Sequence, residues 1–233
     1  MLGLLSFALL FTAGTRVSAN TEKTIFLGPP TVNLPSAHPS LDDLQVHTLT
    51  PDNWQIRTHL EAQFPSLSYP NGKAAWFVLD ELTEGQRYEV RQPTAFRLDT
   101  YELSTVFEAP ELISELSAYS SSRRPGANAH QGTIELGGDS NFNARPERKS
   151  SALFLRVLAT ADYFTTNKTL MANVPPVYVD IILDPFILNI LPRSLVPTVA
   201  YIIVVATITW FIAHRISSWV RGVAVEPSRE KKD

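Results

Sequence analysis

Leu195 to Ala213 is a run of nineteen residues without an ionisable side chain. At about 1.5 Å per helical residue it covers close to the ~30 Å hydrocarbon core of a bilayer. Lipid offers no hydrogen-bond partners, so a segment of this kind is expected as a helix that satisfies its own backbone. A second apolar run, Leu2 to Ala13, is followed by the small-x-small triplet Val17-Ser18-Ala19 just before Asn20. That pattern reads as a secretory signal peptide cleaved between Ala19 and Asn20. Two ends of this sort predict a single-pass type I membrane protein. Its parts are a signal peptide over 1–19, an exported domain over 20–184, a juxtamembrane apolar segment over 185–194, a transmembrane helix over 195–213 and a cytosolic basic tail over 214–233. Arg215, Arg221, Arg229, Lys231 and Lys232 follow the span, whereas Arg193 alone stands close before it. The positive-inside rule places that basic side in the cytosol, as the signal peptide does independently.

The chain has no cysteine. Exported domains commonly staple themselves with disulfides, so this one is expected to stand on core packing, with or without a partner subunit. Thiolate-ligated zinc and cysteine nucleophiles are excluded. A resident of the endoplasmic reticulum fits better than a protein of the cell surface. With the tail at +2 and Arg16 at +1, the formal charge of −3 leaves −6 on the exported part. Such a domain lacks the basic patch that nucleic acid requires, and nucleic acid is not an expected partner. The lipid bilayer is.

Strand signals dominate the exported part. Thr24–Leu27 is a short strand stopped by Gly28-Pro29-Pro30, and the prolines between 29 and 40 predict an irregular stretch. Leu44, Val46 and Thr48 alternate with polar residues, a strand ended by Pro51. Residues 52–64 read as a short helix, with Asp52 as N-cap and Trp54, Arg57 and Leu60 at helical spacing. Ala74–Leu79 is apolar throughout, a buried strand. Thr83–Gln86 is a turn, and Tyr88 and Val90 alternate with Arg87, Glu89 and Arg91. Phe96 to Tyr101 is a further strand, and Pro110 to Ser122 a helical turn or two. Residues 121–151, rich in Ser, Arg, Gly and Asn, read as a long loop. Ala152–Leu158 and Val177–Ile181 are the last strands. The rhythm predicts a mostly β fold, an antiparallel β-sandwich-like lumenal domain plus one C-terminal transmembrane helix. Pro185–Pro192 is apolar but too short to span, and suits the bilayer surface or a partner. Ile216, Trp219, Val220 and Val223 continue the span as a helix into the interface.

No constellation points to catalysis, a cofactor or a metal. His38, His47, His59, His130 and His214 show no ligand spacing. The acidic pairs Asp42-Asp43 and Asp80-Glu81 flank strands, where solvated carboxylates are ordinary, and Asp180 with Asp184 forms no known acid–base motif. No P-loop, dinucleotide fingerprint or nucleophile elbow occurs. One span cannot enclose the intramembrane cavity that a polyprenyl-phosphate-sugar transferase needs. The chain is expected not to be an enzyme. Thr198, Ala200, Thr207, Thr209 and Ala213 offer small or hydroxylated helix-packing positions. Asn167-Lys168-Thr169 is an N-glycosylation sequon, with Asn167 the acceptor. Arg229, Lys231 and Lys232 form a candidate retrieval signal, an imperfect dilysine pattern.

The layout, the stretch Asn20-Thr21-Glu22-Lys23-Thr24-Ile25-Phe26-Leu27, and the block Leu82-Thr83-Glu84-Gly85-Gln86-Arg87-Tyr88-Glu89-Val90-Arg91 with Phe96 and Tyr101 following resemble the fungal co-activator family of GPI mannosyltransferase II. The resemblance implies a non-catalytic subunit of the endoplasmic reticulum membrane. Its partner would be the polytopic catalytic subunit that adds the second mannose to the GPI precursor. No catalytic or ligand residue carries over. The alternative class is a cargo receptor or lectin-like binding module of the early secretory pathway.

Overall fold

The computed structural model describes residues 22–35, 40–67, 69–92, 96–123 and 148–224. They form strands β1 (Glu22–Leu27), β2 (Val32–Leu34), β3 (His47–Leu49), β4 (Gln55–Leu60), β5 (Lys73–Leu82), β6 (Arg87–Gln92) and β7 (Arg97–Glu102). Helices α1 (Leu103–Glu108) and α2 (Pro110–Arg123) follow, then β8 (Arg148–Ala159), α3 (Lys168–Ala172), β9 (Val177–Ile187), β10 (Leu191–Pro192) and α4 (Val196–Ala224). The chain divides into two compact units, with the break after Pro185.

The first unit is mostly strand, in two sheets. In one, β6 pairs antiparallel with β1 and β9, and β9 pairs antiparallel with β4. In the other, β8 is the hub: β2, β5 and β7 pair antiparallel with it, and β3 runs parallel to β5. Side chains alternate across a strand, so each register sorts them onto two faces. Phe77 and Leu79 of β5 and Leu155 and Val157 of β8 join Tyr88, Val90, Val179, Ile181 and Leu183 from the first sheet in one buried cluster. On the opposite face of the same strands, Trp76, Val78 and Phe154 pack with Val106 of α1 and Leu116 of α2. β5 and β8 are therefore buried on both sides, which explains their nearly unbroken apolar sequences.

Arg156 sits within that second face. Opposite Trp76 in β5 and Asp99 in β7, its guanidinium donates to Asp99 (2.8 Å), to the Tyr101 hydroxyl (2.6 Å) and to Glu115 of α2 (3.2 Å). It also lies 5.2 Å from the Tyr101 ring centroid. With its side chain only 15% exposed, this cation is paired with two carboxylates through its terminal nitrogens, while its buried Nε makes no hydrogen bond among the described residues, and it ties α2 to the sheet. A second tie closes the end of α2. Arg123 donates to the Gln45 carbonyl (3.0 Å) and meets His47 Nε2 at 2.8 Å. Arginine cannot accept, so His47 presents an unprotonated Nε2 there. Burial, and then the Arg123 charge, lower the His47 pKa below its ordinary 6.5.

β5 carries a bulge. Leu79 faces Leu153 and Leu82 faces Ser151, so Asp80 and Glu81 together oppose Ala152. Glu81 takes a left-handed φ of 55°. Asp80, 4% exposed, holds the bulge: it accepts from the Glu81 amide (2.7 Å) and the Ser150 hydroxyl (2.6 Å), and it pairs with Arg148.

Several expectations are corrected. Residues 52–64 contain strand β4, not a helix, because Ile56, Thr58 and Leu60 alternate inward against Ile181, Val179 and Val177. Leu44 ends a 3-10 turn over Leu41–Leu44, and the strand begins only at His47. The helix expected as a turn or two over 110–122 is a full fourteen residues. The loop read over 121–151 loses both ends, to α2 and to β8, while 124–147 lies outside the described residues.

Two outcomes follow from these ties. Arg156→Met leaves Glu115 without its cation and Asp99 with Arg97 alone, and lowers stability by about 2 kcal/mol, read by denaturant unfolding of the detergent-solubilised chain. For His47, the folded pKa lies below the unfolded one, so the unfolded chain binds the extra proton. Stability is therefore full above 6.5 and falls as pH drops below it. His47→Gln flattens that slope in a pH series of melting temperatures.

Candidate functional site

The second unit is built for an apolar environment. Within the helical segment Arg193–Gly222 the most apolar stretch of eighteen residues has a mean hydropathy of 2.2, and none of it is buried inside the protein. The localisation reading is thus met as far as one C-terminal helix long and apolar enough to cross a membrane. A 3-10 turn over Arg193–Leu195 leads into α4. Pro197 falls in the first turn, where its missing N–H costs nothing.

Geometry sorts the small residues. At about 100° per residue, Thr198, Thr209 and Ala213 share one side of α4, and Ala200 and Thr207 lie on the other. Thr207 donates back to the Ile203 carbonyl at 2.7 Å, so its hydroxyl is satisfied within the helix. The side of Thr198, Thr209 and Ala213 also carries Ile202, Val205 and Ile216, so small and branched residues alternate along it. Trp210 stacks on His214 with centroids 5.8 Å apart. The helix runs on without a break through Ile216, Trp219 and Val220. On its other side Ser217 accepts from Arg221 at 3.2 Å.

The segment before the helix is a hairpin, where the sequence predicted only an apolar stretch. Ile187 and Phe186 of β9 pair with Leu191 and Pro192 of β10. The Ile190 amide donates to the Ile187 carbonyl at 3.1 Å. Leu188 and Asn189 both have positive φ, 53° and 58°, the signs of a type I′ turn. Asn tolerates this region, whereas Leu pays about 1–2 kcal/mol for it. Leu188 and Ile190, at the tip, are 85% and 77% exposed. Asn189 was the one residue in Pro185–Pro192 that signalled the turn.

The carboxylates named in the sequence are engaged in structure. Asp43 accepts from the Ser40 amide at 2.7 Å. Asp80 holds the bulge. Asp180 takes a bidentate pair of bonds from Arg57 (2.6 and 2.9 Å), which pulls its pKa below the usual carboxylate value. Asp184 lies 3.8 Å from Arg91. His59 rests against Tyr178, centroids 4.7 Å apart. No group of three or more metal-ligating side chains occurs among the described residues. His38, His130, Ala19, Asn20, Arg229, Lys231 and Lys232 lie outside the described residues.

Clefts open on the first unit among the described residues. One, of about 490 Å³, runs along Phe26–Pro30 against the β5–β6 turn and has Glu84 and Glu102 as its ionisable groups. Its floor needs Gly28: a Cβ there would stand 2.2 Å from the Thr83 carbonyl oxygen. The other, of about 600 Å³, lies between Phe64–Pro65 and Thr160–Tyr163, with Asp162 as its carboxylate and Tyr163 as its phenol. Neither gathers the convergent polar groups of an active site. Asn167 is exposed and caps α3, its Oδ1 accepting from the Thr169 amide at 3.0 Å.

Comparison with known proteins finds no matching family model, no matching curated protein and no matching solved structure.

The strain in the hairpin is measurable. Leu188→Gly removes the left-handed penalty and raises hydrogen-exchange protection of the Ile190 amide about fivefold, near 1 kcal/mol. Leu188→Val, β-branched, lowers it.

Proposed function

We propose that this chain is a non-catalytic, single-span type I subunit of the endoplasmic reticulum membrane that stabilises or positions the polytopic GPI mannosyltransferase acting at the second mannose. The observation that carries the reading is α4 together with its hairpin: a 29-residue helix, its apolar stretch without protein cover, preceded by a strained aliphatic tip. Such surface is expensive in water and needs either lipid or another membrane protein. The side bearing Thr198, Thr209 and Ala213 among Ile202, Val205 and Ile216 offers a partner helix both small and branched residues to pack on.

The first unit is the lumenal domain in this reading. Its two sheets pack face to face as a sandwich, because one buried cluster draws side chains from both. The role of the domain is scaffolding: its acidic residues hold strands together and its clefts lack converging groups. Cleavage after Ala19, export of the domain and retrieval through Arg229, Lys231 and Lys232 complete the topology. The choice of enzyme partner rests on the sequence resemblance.

The test is affinity purification of the tagged full-length chain in mild detergent, with analysis of GPI precursors in cells lacking it. Stoichiometric recovery of one polytopic mannosyltransferase and accumulation of the one-mannose precursor are expected. Leu188→Asp lowers that recovery while the chain remains in the membrane. Recovery of coat components and varied cargo, with normal GPI precursors, replaces this reading with a transport receptor.

A further inference from the structure

Residues 163–170 hold a feature that the subunit role does not use. Phe164 is 87% exposed, on a segment that is otherwise well tied. The Tyr163 hydroxyl donates to the Leu170 carbonyl at 2.8 Å, and the Tyr163 ring packs on Phe64 with centroids 5.1 Å apart. Thr165 Oγ1 accepts from the Asn167 amide at 3.2 Å, and Asn167 Oδ1 caps α3. Single exposed apolar side chains are ordinary on a protein surface; what singles this ring out is its place on a tied segment beside a sequon. Three residues on stands the acceptor of Asn167-Lys168-Thr169.

We propose that Asn167 carries an N-linked glycan and that Phe164 is the seat of its first sugar. The cap uses only Oδ1. Nδ2 makes no hydrogen bond among the described residues, so a sugar bonded to Nδ2 leaves the cap intact. A pyranose presents one face of C–H groups, which packs on an aromatic face through dispersion and weak C–H contacts. In three residues the chain reaches at most about 11 Å, so ring and sugar are within reach of each other. The donor is a polyprenyl-diphosphate-linked oligosaccharide, presented by the transferase of the endoplasmic reticulum. Nδ2 forms the bond to the sugar C1 and gives up one proton, the C1–O bond to phosphate breaks, and the polyprenyl diphosphate leaves. The proposal rests on the lumenal placement of the first unit made above.

The test uses the full-length chain in microsomes from eukaryotic cells. Expected are a mobility shift of one glycan, removed by endoglycosidase and lost in Asn167→Gln and Thr169→Ala, and protection of the first unit from protease until detergent is added. Phe164→Ala then lowers the melting temperature of the glycosylated chain by about 2–4 °C and leaves that of Asn167→Gln unchanged. Equal effects in both backgrounds overturn the seat. A protected chain without the shift overturns the glycan and leaves the lumenal reading standing. A chain cleaved without detergent overturns both.

Discussion

Everything in the first unit follows from two strands that must be kept dry on both faces. β5 and β8 carry Phe77, Leu79, Leu155 and Val157 on one side and Trp76, Val78 and Phe154 on the other. Full burial of each such side chain is worth about 1.5–3 kcal/mol, and nothing covalent substitutes for it in a chain without cysteine. On one face they share a buried cluster with side chains of β4, β6 and β9. The other is closed by α1 and α2. Arg156 is the exception inside that second face, and its fork is matched by Asp99, Glu115 and two aromatic rings, so the polar insertion fixes where α2 lies. The strand ladder supplies the stability, and the ion cluster supplies the register of the cover.

The doubly buried strands were the most legible part of the chain. Ala74–Leu79 and Ala152–Leu158 are apolar beyond what a half-exposed strand shows, and Leu195–Ala213 names its own solvent. β4 was misread because Trp54, Arg57 and Leu60 also fit a helical spacing. The competing alternation of Ile56, Thr58 and Leu60 becomes decisive only when Val177–Ile182 arrives from more than a hundred residues away. α2 was underestimated for a related reason: its sequence carries little amphipathic pattern, and its cover comes from a sheet it meets only after folding. The hairpin before α4 was hidden because it lacks the glycine that a type I′ turn ordinarily displays. No local rule places Leu at positive φ.

For the candidate site, the sequence exposed the helix and the sequon but not their surroundings. That Thr207 is bonded within its own helix, or that Phe164 stands uncovered near Asn167, depends on geometry that composition does not encode. The acidic residues show the reverse case. Each has a sequence that permits chemistry, and the structure assigns Asp80 to a bulge, Asp180 to Arg57 and Asp184 to Arg91.

The helix itself has a mechanical consequence. Its 29 residues are about 43 Å long at 1.5 Å each, some nine residues more than a bilayer core of about 30 Å takes up. It runs unbroken from the stretch near Tyr201 to the stretch near Trp219. The surplus has to find cover outside the hydrocarbon, by tilting, in the headgroup layer or against a neighbour, so the length of the helix sets how it can sit in a bilayer of given thickness.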